Sequence, residues 1–188
     1  IAIQKVKSAP ENYADKAKLK AELEVHIKAL KPEDESAIDP ENLYTIAQIG
    51  QLAFQHGLVD LAKSCVKEAK RINEVGGLYH AGVMAEIVEN QIQIADPLPQ
   101  VIDALKRCKT RSAQKAILAS NRVDHLRNLI ASIQSAQRLK DAEMVEDCCQ
   151  IMWNLLLPLL DKRYYSQIEG ILSTCATALS RLESNRTK

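Results

Sequence analysis

The chain has little of what enzymes and nucleic-acid binders are commonly built from. Aromatic residues make up 4 % of its 188 positions, with a single tryptophan and a single phenylalanine. Without aromatic rings among its bases it offers no stacking platform for single-stranded nucleic acid. Its six glycines are scattered, and no GxGxxG, GxxxxGKS/T or GxSxG run occurs, so neither a phosphate cradle nor a nucleophile elbow is encoded. The four histidines (His26, His56, His80, His125) stand far apart, and none belongs to the HExxH or ExxH spacings that zinc and di-iron sites use. Five cysteines occur without a CxxC pair, an odd number that fits reduced thiols acting as small apolar residues in a cytoplasmic compartment. A formal charge of +1 argues against global attraction to nucleic acid or anionic lipid. These absences point away from an enzyme, a cofactor, a bound metal, a small-molecule substrate and a membrane.

What the chain does have is helical period. Few glycines and prolines, against long runs of Ala, Leu, Ile, Lys and Glu, favour an all-α protein. Leu19, Leu23, Ile27 and Leu30 form one stripe in a helix beginning near Pro10 or Glu11. Residues 31–41 contain two prolines and an acidic cluster, the pattern of an exposed loop. Asp39-Pro40 then reads as an N-cap followed by proline at the first helical position, with Leu43, Ile46, Ala47, Gly50, Ala53 and Phe54 on the inner face. Gly57 makes the turn into a helix carrying Leu58, Leu61, Ala62, Cys65, Val66, Ala69 and Ile72. Gly76-Gly77 closes that pair. Further helices are expected over 78–94, from Asp96-Pro97 to about Lys109, over 112–139 (unbroken, or broken near Ser120-Asn121), over 141–160, and from Tyr164 onward.

The greasiest stretch, "CCQIMWNLLLPLL" at 148–160, is too short to span a bilayer, which takes about 20 mostly apolar residues. Acids and Gln150 interrupt it before, and Asp161, Lys162 and Arg163 after. Apolar width without apolar length predicts a helix sandwiched between neighbours. Trp153, Pro158 and Leu159 are therefore expected in the core, with Pro158 bending the last turn because it lacks a backbone donor. Cys148 and Cys149 are adjacent, so on a helix their side chains point about 100° apart, a poor arrangement for one metal ion.

The pair 43–72 resembles a degenerate tetratricopeptide (TPR) repeat. Gly50, Ala62 and Ala69 stand where two helix backbones come close, while Ala53 and Val66 occupy positions where the repeat usually carries rings. Antiparallel hairpins of this kind stack into solenoids, so the expectation is one helical-repeat domain over 1–188, a TPR-like array of about seven to nine helices. A chain starting at Ile1 is expected to be a fragment of a longer one.

Charge is unevenly placed. Between 97 and 140 there are nine bases against Asp103 and Asp124, whereas 141–161 has five acids and no base. Lys106, Arg107, Lys109, Arg111 and Lys115 lie within ten residues, followed by Arg122 and Arg127. They are the candidate partner-binding residues, suited to an acidic protein surface, of which tubulin is one candidate; nucleic acid is the weaker option. Asn121, Arg122, Arg127 and Asn128 form the one set that could clamp a peptide carboxylate.

The segment "VEDCCQIMWNLLLPLLDKRYYSQIEGILSTCATAL" resembles a recurring element of the very large helical-repeat cilia- and flagella-associated proteins of the ciliary central apparatus. Trp153 followed by Leu157, Pro158, Leu159 and Leu160, a short basic turn and a regularly spaced helix carry the likeness. "LYTIAQIGQLAFQHGLVDLAKSCVKEA" is similar to their TPR-like hairpins. The resemblance implies a non-catalytic scaffold segment within a cytoskeletal assembly, the axoneme, whose partners are other proteins of that assembly. The alternative is a cytosolic TPR-like adaptor that binds a peptide or protein.

Overall fold

The structure, a computed structural model, describes residues 16–31 and 37–186. The described residues are all-α: eight α-helices joined by short turns and 3-10 segments, with no strand. They run α1 (Lys16–Leu30), α2 (Pro40–Gln55), α3 (Val59–Ala69), α4 (His80–Ala95), α5 (Pro99–Arg107), α6 (Arg111–Leu139), α7 (Ala142–Leu156) and α8 (Tyr165–Arg186). The chain divides into two compact units, 1–89 and 90–188, with the boundary inside α4. Most of the acidic loop expected at 31–41 and the expected start of the first helix lie outside the described residues. Residues 37–39 are non-helical, and Pro40 already opens α2.

In the first unit α2 packs against both α1 and α3. Asp39 caps α2, its carboxylate accepting from the backbone N–H of Glu41 at 3.0 Å and of Asn42 at 3.4 Å. The far end closes as a Schellman turn. Gly57 takes φ +72°, Leu58 N–H donates to Ala53 O at 2.8 Å, and Gly57 N–H donates to Phe54 O at 2.9 Å. Between these ends α2 buries Leu43, Ile46, Ala47, Ile49, Gly50, Leu52 and Ala53, more than one stripe because it has neighbours on two sides. Gly50 has a steric reason: a Cβ there would sit 2.8 Å from Cys65 Cβ on α3. Ala62 and Ala69, both wholly buried on α3, complete that close seam. Lys31, just after α1, reaches Glu68 on α3 at 3.2 Å. Burial pushes the Glu68 carboxyl up, but hydrogen bonds from Arg71 and Lys31 outweigh it and hold the group below the usual glutamate range.

In the second unit α6, α7 and α8 pack pairwise, and α5 lies against α6. α5 begins at Pro99, not at the expected Asp96-Pro97 cap. The second proline decides this: a residue before proline is pushed out of the helical region, and Leu98 is extended at φ −57°, ψ 153°. The 112–139 segment lies in one unbroken helix of 29 residues, Arg111–Leu139, capped by Thr110, whose hydroxyl accepts from Ala113 N–H. Its inner face is Val123, Leu126, Leu129, Ile133 and Ala136. It ends with Lys140 in the left-handed region at φ 59°, and Asp141 immediately caps α7 by accepting from Met144 N–H at 2.9 Å.

α7 is the expected core helix, in contact with both α6 and α8, and the backbone changes to a 3-10 turn at Leu157–Leu159. Because Pro158 has no N–H, the Asn154 carbonyl loses its helical donor, which accounts for the break. Two residues expected in the core are not there. Trp153 is 51 % exposed, and Pro158 is exposed too, whereas Leu159 is buried. The buried residues Met144, Val145, Cys148, Cys149, Met152 and Leu156 span an arc of about 140° on a helical wheel. Trp153 lies about 40° beyond its edge on the same wheel. Hydrophobic character placed the ring near the core; helical angle placed it outside.

Candidate interaction surface in the second unit

The basic stretch is a helix–turn–helix corner. Lys106 and Arg107 end α5, Lys109 lies in the turn, and Arg111 and Lys115 start α6. Gln114 closes the corner from inside by donating to the Leu105 and Cys108 carbonyls, each at 3.4 Å. The five bases all face solvent. Lys106 meets Asp103 at 3.7 Å, a weak surface pair. The bases at the end of α5 suit its dipole; Arg111 and Lys115 oppose that of α6, whose first turn has no acid. Helix stability therefore does not explain those two bases.

Arg122 and Arg127 part company with the corner. Arg127 is exposed and pairs with Asp124 at 3.2 Å. Arg122 is half-buried and donates to the Leu155 carbonyl of α7 at 3.2 Å, satisfying a helix-end acceptor near the Pro158 break. Of the seven candidate partner-binding bases it is the one that is half-buried and tied to a neighbouring helix. The two asparagines of the carboxylate-clamp set also have partners within the unit. Asn121 donates to Gln93 O at 3.4 Å, and Asn128 donates to Asn90 Oδ1 at 3.3 Å. His125 Nδ1 meets the same Asn90 oxygen at 2.8 Å. Together they form a polar seam between the end of α4 and α6 around the buried Asn90. An isolated Asn90 in the sequence carries no signal of that role.

A second surface was not legible as such. Trp153, Leu157, Leu160 and Tyr165 are 51, 49, 45 and 53 % exposed; Trp153 stands in the last turn of α7, Leu157 begins and Leu160 caps the 3-10 turn that follows it, and Tyr165 stands at the start of α8. Four large apolar side chains exposed within thirteen residues of chain make this end of α7 a candidate interaction surface. Lys162 and Arg163 follow directly, with Arg163 paired to Asp161 at 2.8 Å and set over the Tyr164 ring.

Among the described residues no group of three or more His, Cys, Asp or Glu could hold a metal ion, and no helix is long and apolar enough to cross a membrane. Burial pushes the Cys65 and Cys148 thiols up to about 12, so both stay protonated at neutral pH. No family model, curated protein sequence or solved structure matches the chain.

Proposed function

We propose that this chain is a non-catalytic helical scaffold segment that holds partner proteins through its outward faces. The observation that carries the reading is the set of large apolar side chains turned to solvent between the last turn of α7 and the start of α8: Trp153, Leu157, Leu160 and Tyr165. Leaving them in water is unfavourable by roughly 25 cal/mol per Å² of apolar surface, a standing drive toward a protein partner. The exposed corner of Lys106, Arg107, Lys109, Arg111 and Lys115 would add electrostatic attraction to an acidic partner surface, tubulin being one candidate. The setting within a ciliary central-apparatus assembly rests on the sequence resemblance alone.

Fractionation of motile ciliated cells tests both parts. The chain should stay with axonemes washed at high salt, and a Trp153→Ala, Leu157→Ser variant of unchanged helicity should wash out. Recovery of the unaltered chain only in cell bodies removes the ciliary setting. Equal retention of the variant removes the apolar surface as the contact. The adaptor reading has less to stand on, because Asn121, Arg122 and Asn128 are engaged within their own unit.

A further inference from the structure

The basic corner between α5 and α6 carries a threonine in its turn. Thr110 is exposed and lies outside both helices. Lys109 immediately precedes it, Arg107 stands three residues before it and Lys106 four. The backbone there is extended, with Cys108 at φ −77°, ψ 122° and Thr110 at φ −116°, ψ 142°. Arg107 is exposed as well, and of the corner's five bases only Lys106 forms an ion pair among the described residues, with Asp103. On the near side α5 has no buried residue, so little burial is lost when another protein takes hold of the corner and draws it open. The corner's other hydroxyl, Ser112, is exposed too, but it is the second residue of α6 and has only a lysine three residues before it.

The start of α6 is short of negative charge. Its first turn has no acid, and Arg111 and Lys115, at its first and fifth positions, oppose the helix dipole. The Thr110 hydroxyl accepts from the Ala113 N–H at 3.2 Å, but a hydroxyl brings no charge. A phosphate on the same oxygen carries about −1.5 to −2 at neutral pH and three strong acceptor oxygens. Seated there it would meet the first N–H groups of α6 and the two bases together, and it would offset about two of the corner's five positive charges.

We propose that Thr110 is the phosphorylation site of a protein kinase that selects arginine three residues before the hydroxyl, and that the phosphate is then held at the start of α6. Carboxylates in the kinase's substrate cleft read such a base: the Arg107 guanidinium can meet one in a two-pronged, charge-assisted pair. The Thr110 oxygen attacks the γ-phosphorus of ATP, and the bond from that phosphorus to the oxygen bridging to the β-phosphate breaks. ADP leaves with the electron pair, and the threonine proton passes to the kinase's catalytic aspartate. The product is a phosphothreonine at the N-cap of α6, in place of the neutral hydroxyl. Neither the transfer nor its effect on α6 depends on the scaffold reading.

The test incubates the full chain, folded, with magnesium, ATP and the catalytic domain of a calcium/calmodulin-dependent protein kinase, and maps the product by fragmentation mass spectrometry. Phosphate is expected on Thr110. Arg107→Ala, at an exposed position, should slow its incorporation about tenfold or more, the loss of one charge-assisted pair with the kinase. Ser112→Ala should leave the rate unchanged. The melting temperature of the phosphorylated, unaltered chain should rise by about 2–4 °C, because the charge now suits the helix end. An unmodified Thr110, phosphate on Ser112 in its place, incorporation indifferent to Arg107, or a melting temperature that does not rise would each overturn the proposal.

Discussion

The α2–α3 hairpin of the first unit and the α6–α7–α8 bundle of the second bury apolar surface by opposite means. At the hairpin seam Gly50 meets Cys65 with no room for one more carbon, and Ala62 and Ala69 leave backbone close to backbone. In the bundle the space around α7 is filled by long or soft side chains, Met144, Met152, Leu126, Leu129 and Ile168, and the bundle's own glycine, Gly170, has open space at its Cβ position. The Gly50 seam is therefore sensitive to atoms added, and the positions around Met152 to atoms removed. The same residue type is a packing requirement in α2 and a mere loss of helix propensity in α8.

The largest effect should come from emptying the bundle. Met152→Ala deletes a fully buried side chain and should cost about 2–5 kcal/mol in denaturant unfolding. Its neighbour sharpens the point: Trp153→Ala, at a half-exposed position, should cost under about 1 kcal/mol. Equal losses would mean that the ring is buried after all. Next in size, Gly50→Ala should destabilise by about 1–3 kcal/mol through overpacking against Cys65, less what the better helix former returns. A stabilised variant would show that the hairpin seam can open without penalty. Gly170→Ala should move the melting temperature the other way, a gain of about 0.5–1 kcal/mol. The smallest effect concerns Glu68, held by Arg71 and Lys31. Because its folded pKa lies below the unfolded one, its contribution is present above the ordinary glutamate value of about 4.3 and disappears as pH falls through the folded value. The melting difference between the unaltered chain and Glu68→Gln should therefore shrink in acid, and a difference independent of pH would assign the interaction to shape instead of charge.

Much of the fold was legible because its signals are local. Asp39-Pro40 and Gly57 mark the ends of α2, and the apolar period marks the faces of α1, α2, α3 and α7. Where a local signal had a rival within two residues, the reading slipped: Pro97 and Pro99 both announce a helix start, and only the second makes one. The surfaces were legible in part. A run of bases at a helix–turn–helix corner stays exposed wherever the helices pack, so Lys106 to Lys115 could be read directly. Arg122 and Asn121 could not, because their partners, Leu155 and Gln93, lie 33 and 28 residues away in sequence.

The sequence by itself determined that the chain is helical, roughly where its helices start and stop, and that 148–160 is too short an apolar run for a membrane span. These follow from backbone propensity, caps and a 3.6-residue period, all of which act within a few residues. Only the tertiary structure decided which side of α7 is covered. That choice placed Met152 inside and Trp153 outside, turned Arg122 inward to a helix end, and set Cys175 against Met152 from 23 residues along the chain. The physical reason is that burial and side-chain contacts depend on which helices pack together, a contact between distant segments that no local pattern of residues encodes.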